Sequence, residues 1–168
     1  MARWFMDTEF DENGRTIELI SIALVREDGS FFYAVSSEFN PELCNEWVKA
    51  NVLPHLPPRN SHWWMSRADI RQGVIEALLP GHVRGEVTDK PEIWGYFSDY
   101  DWVVFCQLFG RMVDLPKGMP MWCRDLKQAM EVACVTRDQL PPQSGTAHDA
   151  LEDARWIREA FLNLRGES

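Results

Sequence analysis

Long apolar runs are missing from this chain of 168 residues. None of its hydrophobic stretches approaches the roughly 20 residues that a transmembrane helix needs. The first ten residues, MARWFMDTEF, contain one early arginine but also an acid at position 7, and no small-residue cleavage pattern follows. We therefore expect no membrane span and no secretory signal, and we expect the protein to be cytoplasmic.

Cysteine pairs at metal-binding or redox spacing are also missing. The four cysteines, Cys44, Cys106, Cys123 and Cys134, form no C-x-x-C pair. This spacing argues against a zinc ribbon and against a thioredoxin-like motif. In a chain without a secretory signal, free thiols are the expected state.

Basic residues are scarce relative to acids. The chain has 17 Lys and Arg against 26 Asp and Glu, which gives a net charge of −9. This balance argues against a protein that coats nucleic acid by bulk attraction. It still allows an enzyme that grips a short end, because a carboxylate-rich metal site is acidic by itself and bound divalent ions reverse its charge locally.

Internal repeats, low-complexity tracts and long linkers are absent as well. Hydrophobic residues make up 45% of the chain, which is enough for a core of ordinary size. We therefore expect a single domain over residues 1–168.

Hydrophobic alternation predicts three strands at the start of the chain, over 3–9, 16–26 and 31–35. Asn13-Gly14 and Asp28-Gly29 are strong turn signals, so the three strands are expected to form an antiparallel meander. Residues 52–65 are predicted to be a loop and 80–90 a polar connection. The remaining predicted elements are helices over 41–51 (capped by Asn40), 66–79, 100–109 (capped by Asp99), 126–134 (capped by Asp125) and 147–164, and strands over 91–97 and 120–123. This order predicts an α/β fold with one mixed sheet flanked by helices.

Two carboxylates share one face of the first strand. Because side chains alternate along a strand, Asp7 and Glu9 project together with Phe5, while Trp4 and Met6 point to the other face. Paired carboxylates repel unless a cation lies between them, and hard divalent ions such as Mg²⁺ prefer such oxygen ligands. Taken alone, the pair is equally compatible with a charged strand end that faces solvent.

A second acidic segment, Ser98-Asp99-Tyr100-Asp101, lies between a predicted strand and a predicted helix. Ligand sites of open α/β sheets cluster at such turns. Asp101 falls in the first helical turn, where it either serves a site or simply interacts favourably with the helix dipole.

The third segment, AHDALED, opens the last predicted helix. Asp153 lies one turn beyond Asp149 and on its face. A near-neutral histidine at the helix start, His148, is suited to accept a proton from a water molecule. A solvated acidic first turn with a capping histidine remains the alternative.

The three segments together resemble the DEDD 3′→5′ exonucleases, in the His-bearing (DEDDh) subgroup related to RNase T. FMDTEF, YFSDYDWVVF and AHDALEDA stand in the family's order, and the likeness runs from about residue 3 to residue 163. Within that superfamily the chain looks most like the compact RNase AS-type group of bacterial and phage exoribonucleases. Ser98 departs from the pattern, since many relatives carry asparagine or another residue there, and this departure leaves Asp101 undisturbed.

The resemblance implies an RNase H-like fold and a two-metal hydrolytic site. Two Mg²⁺ ions, with Mn²⁺ as a substitute, are implied to bind Asp7, Glu9, Asp101 and Asp153, and His148 is implied to be the general base. The implied reaction releases nucleoside 5′-monophosphates one at a time from a single-stranded 3′ end, with RNA favoured over DNA. A homodimer is implied by resemblance only.

Residues that contact the nucleotide are less well marked. By resemblance, Thr8, Glu9 and Phe10 contact the terminal nucleotide, and Phe10 is suited to stack on a base. Trp63 and Trp64 lie in a loop with Arg59 and offer a single-strand platform, although packing under a helix or at an interface is an open alternative. Other basic residues that are candidates for phosphate contact are Arg111, Arg124, Lys127, Arg155 and Arg158.

Three alternatives to an exoribonuclease remain. The first is a 3′→5′ exodeoxyribonuclease, because the contact to a 2′-hydroxyl cannot be identified in a sequence. The second is a catalytically silent nucleic-acid-binding module, although all five expected catalytic residues are present. The third is an acidic structural protein, which requires the three ordered motifs to be coincidence.

Overall fold

The computed structural model describes residues 2–81 and 90–167, so most of the predicted polar connection over 80–90 lies outside the described residues. The strands are β1 (Arg3–Glu12), β2 (Ile17–Arg26), β3 (Phe31–Ser36), β4 (Trp64–Met65), β5 (Glu92–Gly95) and β6 (Arg124–Asp125). The helices are α1 (Glu46–Asn51), α2 (Arg67–Leu78), α3 (Asp99–Gln107), α4 (Leu126–Val132) and α5 (Ala150–Arg165). Short 3₁₀ turns cover Leu53–His55, Met112–Asp114 and Arg137–Gln139.

All six strands belong to one mixed sheet, in the order β4-β3-β2-β1-β5-β6. The predicted meander is confirmed, since β1, β2 and β3 pair antiparallel. The short outer strands pair parallel: β4 with β3, β5 with β1, and β6 with β5. Helices flank this sheet, which confirms the predicted α/β fold class and is consistent with an RNase H-like fold. In the described part of the chain, no helix is long and apolar enough to cross a bilayer.

The two faces of β1 enter different parts of the core. Trp4 and Met6 pack in the cluster that includes buried residues of α2 and α3. Phe5 packs on the other side, where its ring lies 5.2 Å from that of Phe161 in α5. The predicted alternation along β1 is therefore confirmed, and it places polar residues of the Phe5 face under the start of α5.

The parallel pairing of β1 with β5 sets the position of the site. Arg3, Trp4 and Phe5 pair with Glu92, Ile93 and Trp94, so both strands run toward the same edge of the sheet. The chain turns tightly from β5 into α3. A Cβ atom at Gly95 would lie only 2.4 Å from the Cβ of Ser98, so the turn leaves no room for a side chain there. The last residues of β1 and the first turn of α3 consequently meet at the end of the sheet where β1 and β5 have their C-termini.

Several predicted boundaries were wrong. The first helix begins at Glu46 rather than at residue 41, because Asn45 caps it and is bonded to Asp11 of β1. The strand predicted over 120–123 is instead Arg124–Asp125, although Asp125 does cap α4 as predicted. The loop predicted over 52–65 ends in β4, which pairs with the edge of β3.

The helices that carry the second and third motifs also begin at other residues than predicted. Ser98, not Asp99, is the N-cap of α3, and Asp101 lies in its first turn. The last helix begins at Ala150 with Asp149 as its N-cap, rather than at residue 147. His148 therefore precedes the helix, in a left-handed backbone conformation with φ of 64°.

Candidate active site

Two carboxylates of β1 form the floor of the site. Glu9 is buried and Asp7 is half-buried, and no hydrogen bond between described residues ends on either carboxylate. Burial, and after it the charge of Asp101, raises the pKa of Asp7 well above its ordinary value. Burial and then the charge of Asp153 raise the pKa of Glu9 to about 8. This pair is costly as two bare anions and is suited to a bound cation.

The second-motif acid is held by the backbone and side chain of β1. The Thr8 N–H and hydroxyl both donate to Oδ1 of Asp101, at 2.8 Å and 2.6 Å. Burial raises the pKa of Asp101 to about 6, and the two bonds from Thr8 oppose that rise. Thr8 is itself buried and its hydroxyl is used to fix Asp101, and a contact of Thr8 with the terminal nucleotide stays a prediction.

The third motif holds its acid through the segment before α5. Asp149 caps the helix by accepting hydrogen bonds from the N–H groups of Leu151 and Glu152. The backbone N–H of His148 donates to Oδ2 of Asp153 at 3.1 Å, and the Gln143 amide donates to Oδ1. Burial raises the pKa of Asp153, while these two hydrogen bonds act in the opposite direction.

The first and third motifs converge in space. One carboxylate oxygen each from Glu9 and Asp153 and a ring nitrogen of His148 all lie within 4.8 Å of one another. Asp7, His148 and Asp153 line a common cavity of about 180 Å³. Asp101 joins the group from α3, since its charge raises the pKa of both Asp7 and Glu9. The structure thus brings together all five residues predicted to carry the chemistry.

The aromatic candidates divide into two groups. Phe10 stacks on exposed Tyr100 beside Asp101, with ring centroids 5.8 Å apart. Trp63 and Trp64 lie at the β4 edge, separated from β1 by β2 and β3. The Trp64 indole N–H donates to the Pro57 carbonyl at 3.0 Å, and Trp63 packs edge-on against Tyr33. Both half-buried tryptophans thus make packing contacts, and their role as a single-strand platform stays a prediction.

Comparison with known proteins assigns the chain to a family. Residues 2–164 match the 3′-5′ exoribonuclease Rv2179c-like domain. The chain belongs to this family. It is also 48% identical over 153 residues to 3′-5′ exoribonuclease Rv2179c of Mycobacterium tuberculosis strain ATCC 25618 / H37Rv, with 91% of this chain and 87% of the relative covered. The 3′-5′ exoribonuclease MT2234.1 of strain CDC 1551 / Oshkosh has the same identity and coverage.

Membership in the Rv2179c-like family confirms the predicted enzyme class, a hydrolase of the 3′-5′ exonuclease type. The names of both relatives also support the RNA side of the prediction.

Three residues of this family member were not identified from the sequence. Gln143 binds Asp153 from a loop that contains two prolines. Trp47 of α1 contacts the imidazole of His148 edge-on, with ring centroids 4.7 Å apart. Arg137 lines the same cavity as Asp7, His148 and Asp153. None carries a local signal, because each reaches the site only through long-range packing.

Proposed function

We propose that the chain is a metal-dependent 3′→5′ exoribonuclease of the DEDDh, RNase T-like type. It removes nucleoside 5′-monophosphates one at a time from the 3′ ends of single-stranded RNA. The observation that carries this proposal is the convergence of Asp7, Glu9, Asp101, His148 and Asp153 at one edge of the sheet. The names of the two relatives support RNA as the polymer, and DNA is the alternative substrate.

The four carboxylates fit two Mg²⁺ ions, with Mn²⁺ as a substitute. Oxygen donors are the ligands that these hard cations prefer. The carboxylates of Asp7 and Glu9 accept no hydrogen bond from any described residue, so their lone pairs are open to a cation. When bound, the ions stabilise charge on the phosphate and on the leaving 3′-oxygen. Asp7, Glu9, Asp101 and Asp153 would hold them.

His148 has the general-base role in this proposal. Its imidazole accepts a proton from the attacking water, while the water oxygen forms a bond to the phosphorus of the terminal phosphodiester. The bond from phosphorus to the 3′-oxygen of the penultimate nucleotide breaks, and the terminal nucleotide leaves with a 5′-phosphate. The contact of the His148 backbone N–H with Asp153 and the edge-on contact with Trp47 restrict the ring to the carboxylate side.

A degradation assay tests the proposal. The purified protein is incubated with single-stranded RNA and DNA of matched sequence, labelled at the 5′ end, in Mg²⁺, in Mn²⁺ or in EDTA. We expect a ladder that shortens from the 3′ end on RNA in either metal, and an unchanged band in EDTA. A ladder on DNA but not on RNA would favour the exodeoxyribonuclease alternative. Binding without shortening of either polymer would favour the silent binding module.

Two further expectations are part of this proposal, and the resemblance implies the first of them. We expect a homodimer in solution and a cytoplasmic location. Light scattering coupled to size-exclusion chromatography measures the oligomeric state, and a monomer across the accessible concentration range would contradict the first expectation. Fractionation of cells that produce the tagged protein tests the second.

A further inference from the structure

One cation lines the otherwise acidic cavity of the site. Arg137 contributes to the same walls as Asp7, His148 and Asp153, together with Tyr96 and other residues. Among the described residues that line this cavity, it is the single Lys or Arg. A bare cluster of carboxylates repels a phosphodiester, so a fixed positive charge beside it changes what the cavity can bind.

The guanidinium of Arg137 is held by packing. Its central carbon lies 3.8 Å from the centroid of the Trp156 ring, and Nη1 donates to the Pro141 carbonyl at 3.2 Å. Trp156 is buried and donates its own indole N–H to the same carbonyl at 2.9 Å. The plane of the guanidinium is consequently fixed before any ligand arrives, which reduces the entropy lost on binding.

Most donors of this guanidinium remain available. Within the described parts of the chain, no carboxylate lies within 4.0 Å of Arg137, and a single hydrogen bond from its side chain is present. An arginine carries five N–H donors in a fork that matches phosphate oxygens. Arg111 and Arg155, by contrast, are paired with Asp114 and Glu152. Trp156, on which the guanidinium packs, lines the same cavity, so this packing holds the free donors of Arg137 at the cavity wall.

We propose that Arg137 binds phosphate oxygens at the 3′ end of the RNA, beside the carboxylate site. The inference rests on the proposed function, because it takes the ligand of the cavity to be a nucleic-acid phosphate. It adds a phosphate-binding residue that the sequence pattern does not mark.

The salt dependence of RNA binding separates a phosphate contact from a structural role. Affinity for a fluorescent single-stranded RNA is measured over a range of salt, with Ca²⁺ replacing Mg²⁺ and probe length checked on a gel. We expect R137Q to weaken binding about tenfold and to reduce the slope of log Kd against log salt by about 0.7, the value for one contact to a single strand. R137K keeps the charge and should retain the slope.

Arg26→Gln is the matched control. Its side chain is 47% exposed and already paired with Asp28, and Arg26 lies opposite Trp4 at the start of β1, so we expect wild-type affinity and slope. Wild-type affinity and slope in folded R137Q would overturn the proposal. If the wild-type protein degrades RNA and R137Q binds RNA with the same affinity and slope, only the proposed role of Arg137 is contradicted. If wild-type protein neither binds nor degrades RNA, the proposed function fails first.

A measurement on the wild-type protein covers the case in which R137Q does not fold. Arginines are modified with phenylglyoxal, with and without RNA, and modification is quantified by peptide mass spectrometry. We expect RNA to protect Arg137 and to leave the reactivity of Arg26 unchanged. Equal modification of Arg137 with and without saturating RNA would overturn the proposal.

Discussion

The two sides of the site are built differently. The sheet side (Asp7, Glu9 and Asp101) rests on β1 and on the first turn of α3, and Thr8 joins these elements through two short hydrogen bonds. The loop side (Gln143, His148 and Asp153) depends on the segment before α5, where His148 has a left-handed backbone and few bonds fix it. The comparison indicates that Asp7, Glu9 and Asp101 are positioned by the sheet and by Thr8, whereas Asp153 and His148 depend on the segment that precedes α5.

Replacement of one carboxylate by an amide of the same shape, on either side of the site, has the largest expected effect on kcat. Asp7→Asn on the sheet side and Asp153→Asn on the loop side should each reduce kcat by about 10³-fold or more, because a ligand of the ions is lost. Asp7→Asn should also raise the melting temperature in EDTA, since a carboxylate with a raised pKa is replaced by a neutral group. Steady-state kinetics and thermal melts measure both. Glu159→Gln, at an exposed acid of α5, is the control and should behave like wild type.

Loss of the His148 imidazole has the second largest expected effect on kcat. His148→Asn should reduce kcat by about 10²- to 10⁴-fold, because water attack then lacks its general base. Metal affinity, measured by calorimetry, should stay near that of the wild type. His62→Asn provides a control at an exposed histidine elsewhere in the chain. Wild-type kcat in His148→Asn would show that the loop side does not supply the base.

Loss of the hydrogen bond that joins Thr8 to Asp101 on the sheet side has a smaller expected effect on kcat. Thr8→Val keeps the shape and the backbone N–H but removes the hydroxyl that donates to Asp101 at 2.6 Å. One lost bond to a buried carboxylate should destabilise the protein by about 1–3 kcal/mol and lower kcat about tenfold. Denaturant unfolding and kinetics test this. Thr16→Val, which removes an exposed hydroxyl that accepts a hydrogen bond from the Asn13 amide at 3.0 Å, should leave kcat unchanged.

The smallest expected effect is the change of thermal stability with pH in the metal-free protein. Glu9 has a pKa of about 8 in the fold and an ordinary value of 4.5, so the folded state retains the proton that the unfolded state loses. Its contribution to stability is therefore fully present below about pH 4.5 and is lost as pH rises toward 8. In EDTA, we expect the melting temperature to fall by about 5 °C between pH 5 and pH 8.

Glu9→Gln provides the control for that pH dependence. It should make the fall in EDTA smaller without abolishing it, because Glu9 no longer loses a proton while Asp7 and Asp101, whose pKa values are also raised, still do. Saturating Mg²⁺ should remove the fall in the wild type, because the ion stabilises the ionised carboxylate. A melting temperature that rises from pH 5 to pH 8 in EDTA would contradict the assignment of Glu9 as a buried acid with a raised pKa.

Local patterns predicted the sheet side best. The two-residue period of β1 placed Asp7 and Glu9 on the Phe5 face, and the Asn13-Gly14 turn signal predicted the meander. The bond between Thr8 and Asp101 joins residues 93 positions apart and depends on the pairing of β1 with β5. No local pattern encodes that pairing, so the positioning role of Thr8 could not be predicted.

The loop side and its surroundings were predicted less well. The start of α1 is set by the contact of Asn45 with Asp11, which lies 34 positions away, and this start decides where Trp47 meets His148. The motif AHDALED indicated which residues matter but not that His148 precedes the helix. Arg137 was missed because its relation to the cavity arises from packing on Trp156.

Product analysis in isotopically labelled water tests the central claim most directly. RNA is digested in H₂¹⁸O with Mg²⁺, and the released products are identified by mass spectrometry, with EDTA as the control. We expect nucleoside 5′-monophosphates that carry one ¹⁸O on the phosphate, and no release in EDTA. Nucleoside 3′-phosphates, unlabelled products, or equal release in EDTA would contradict it.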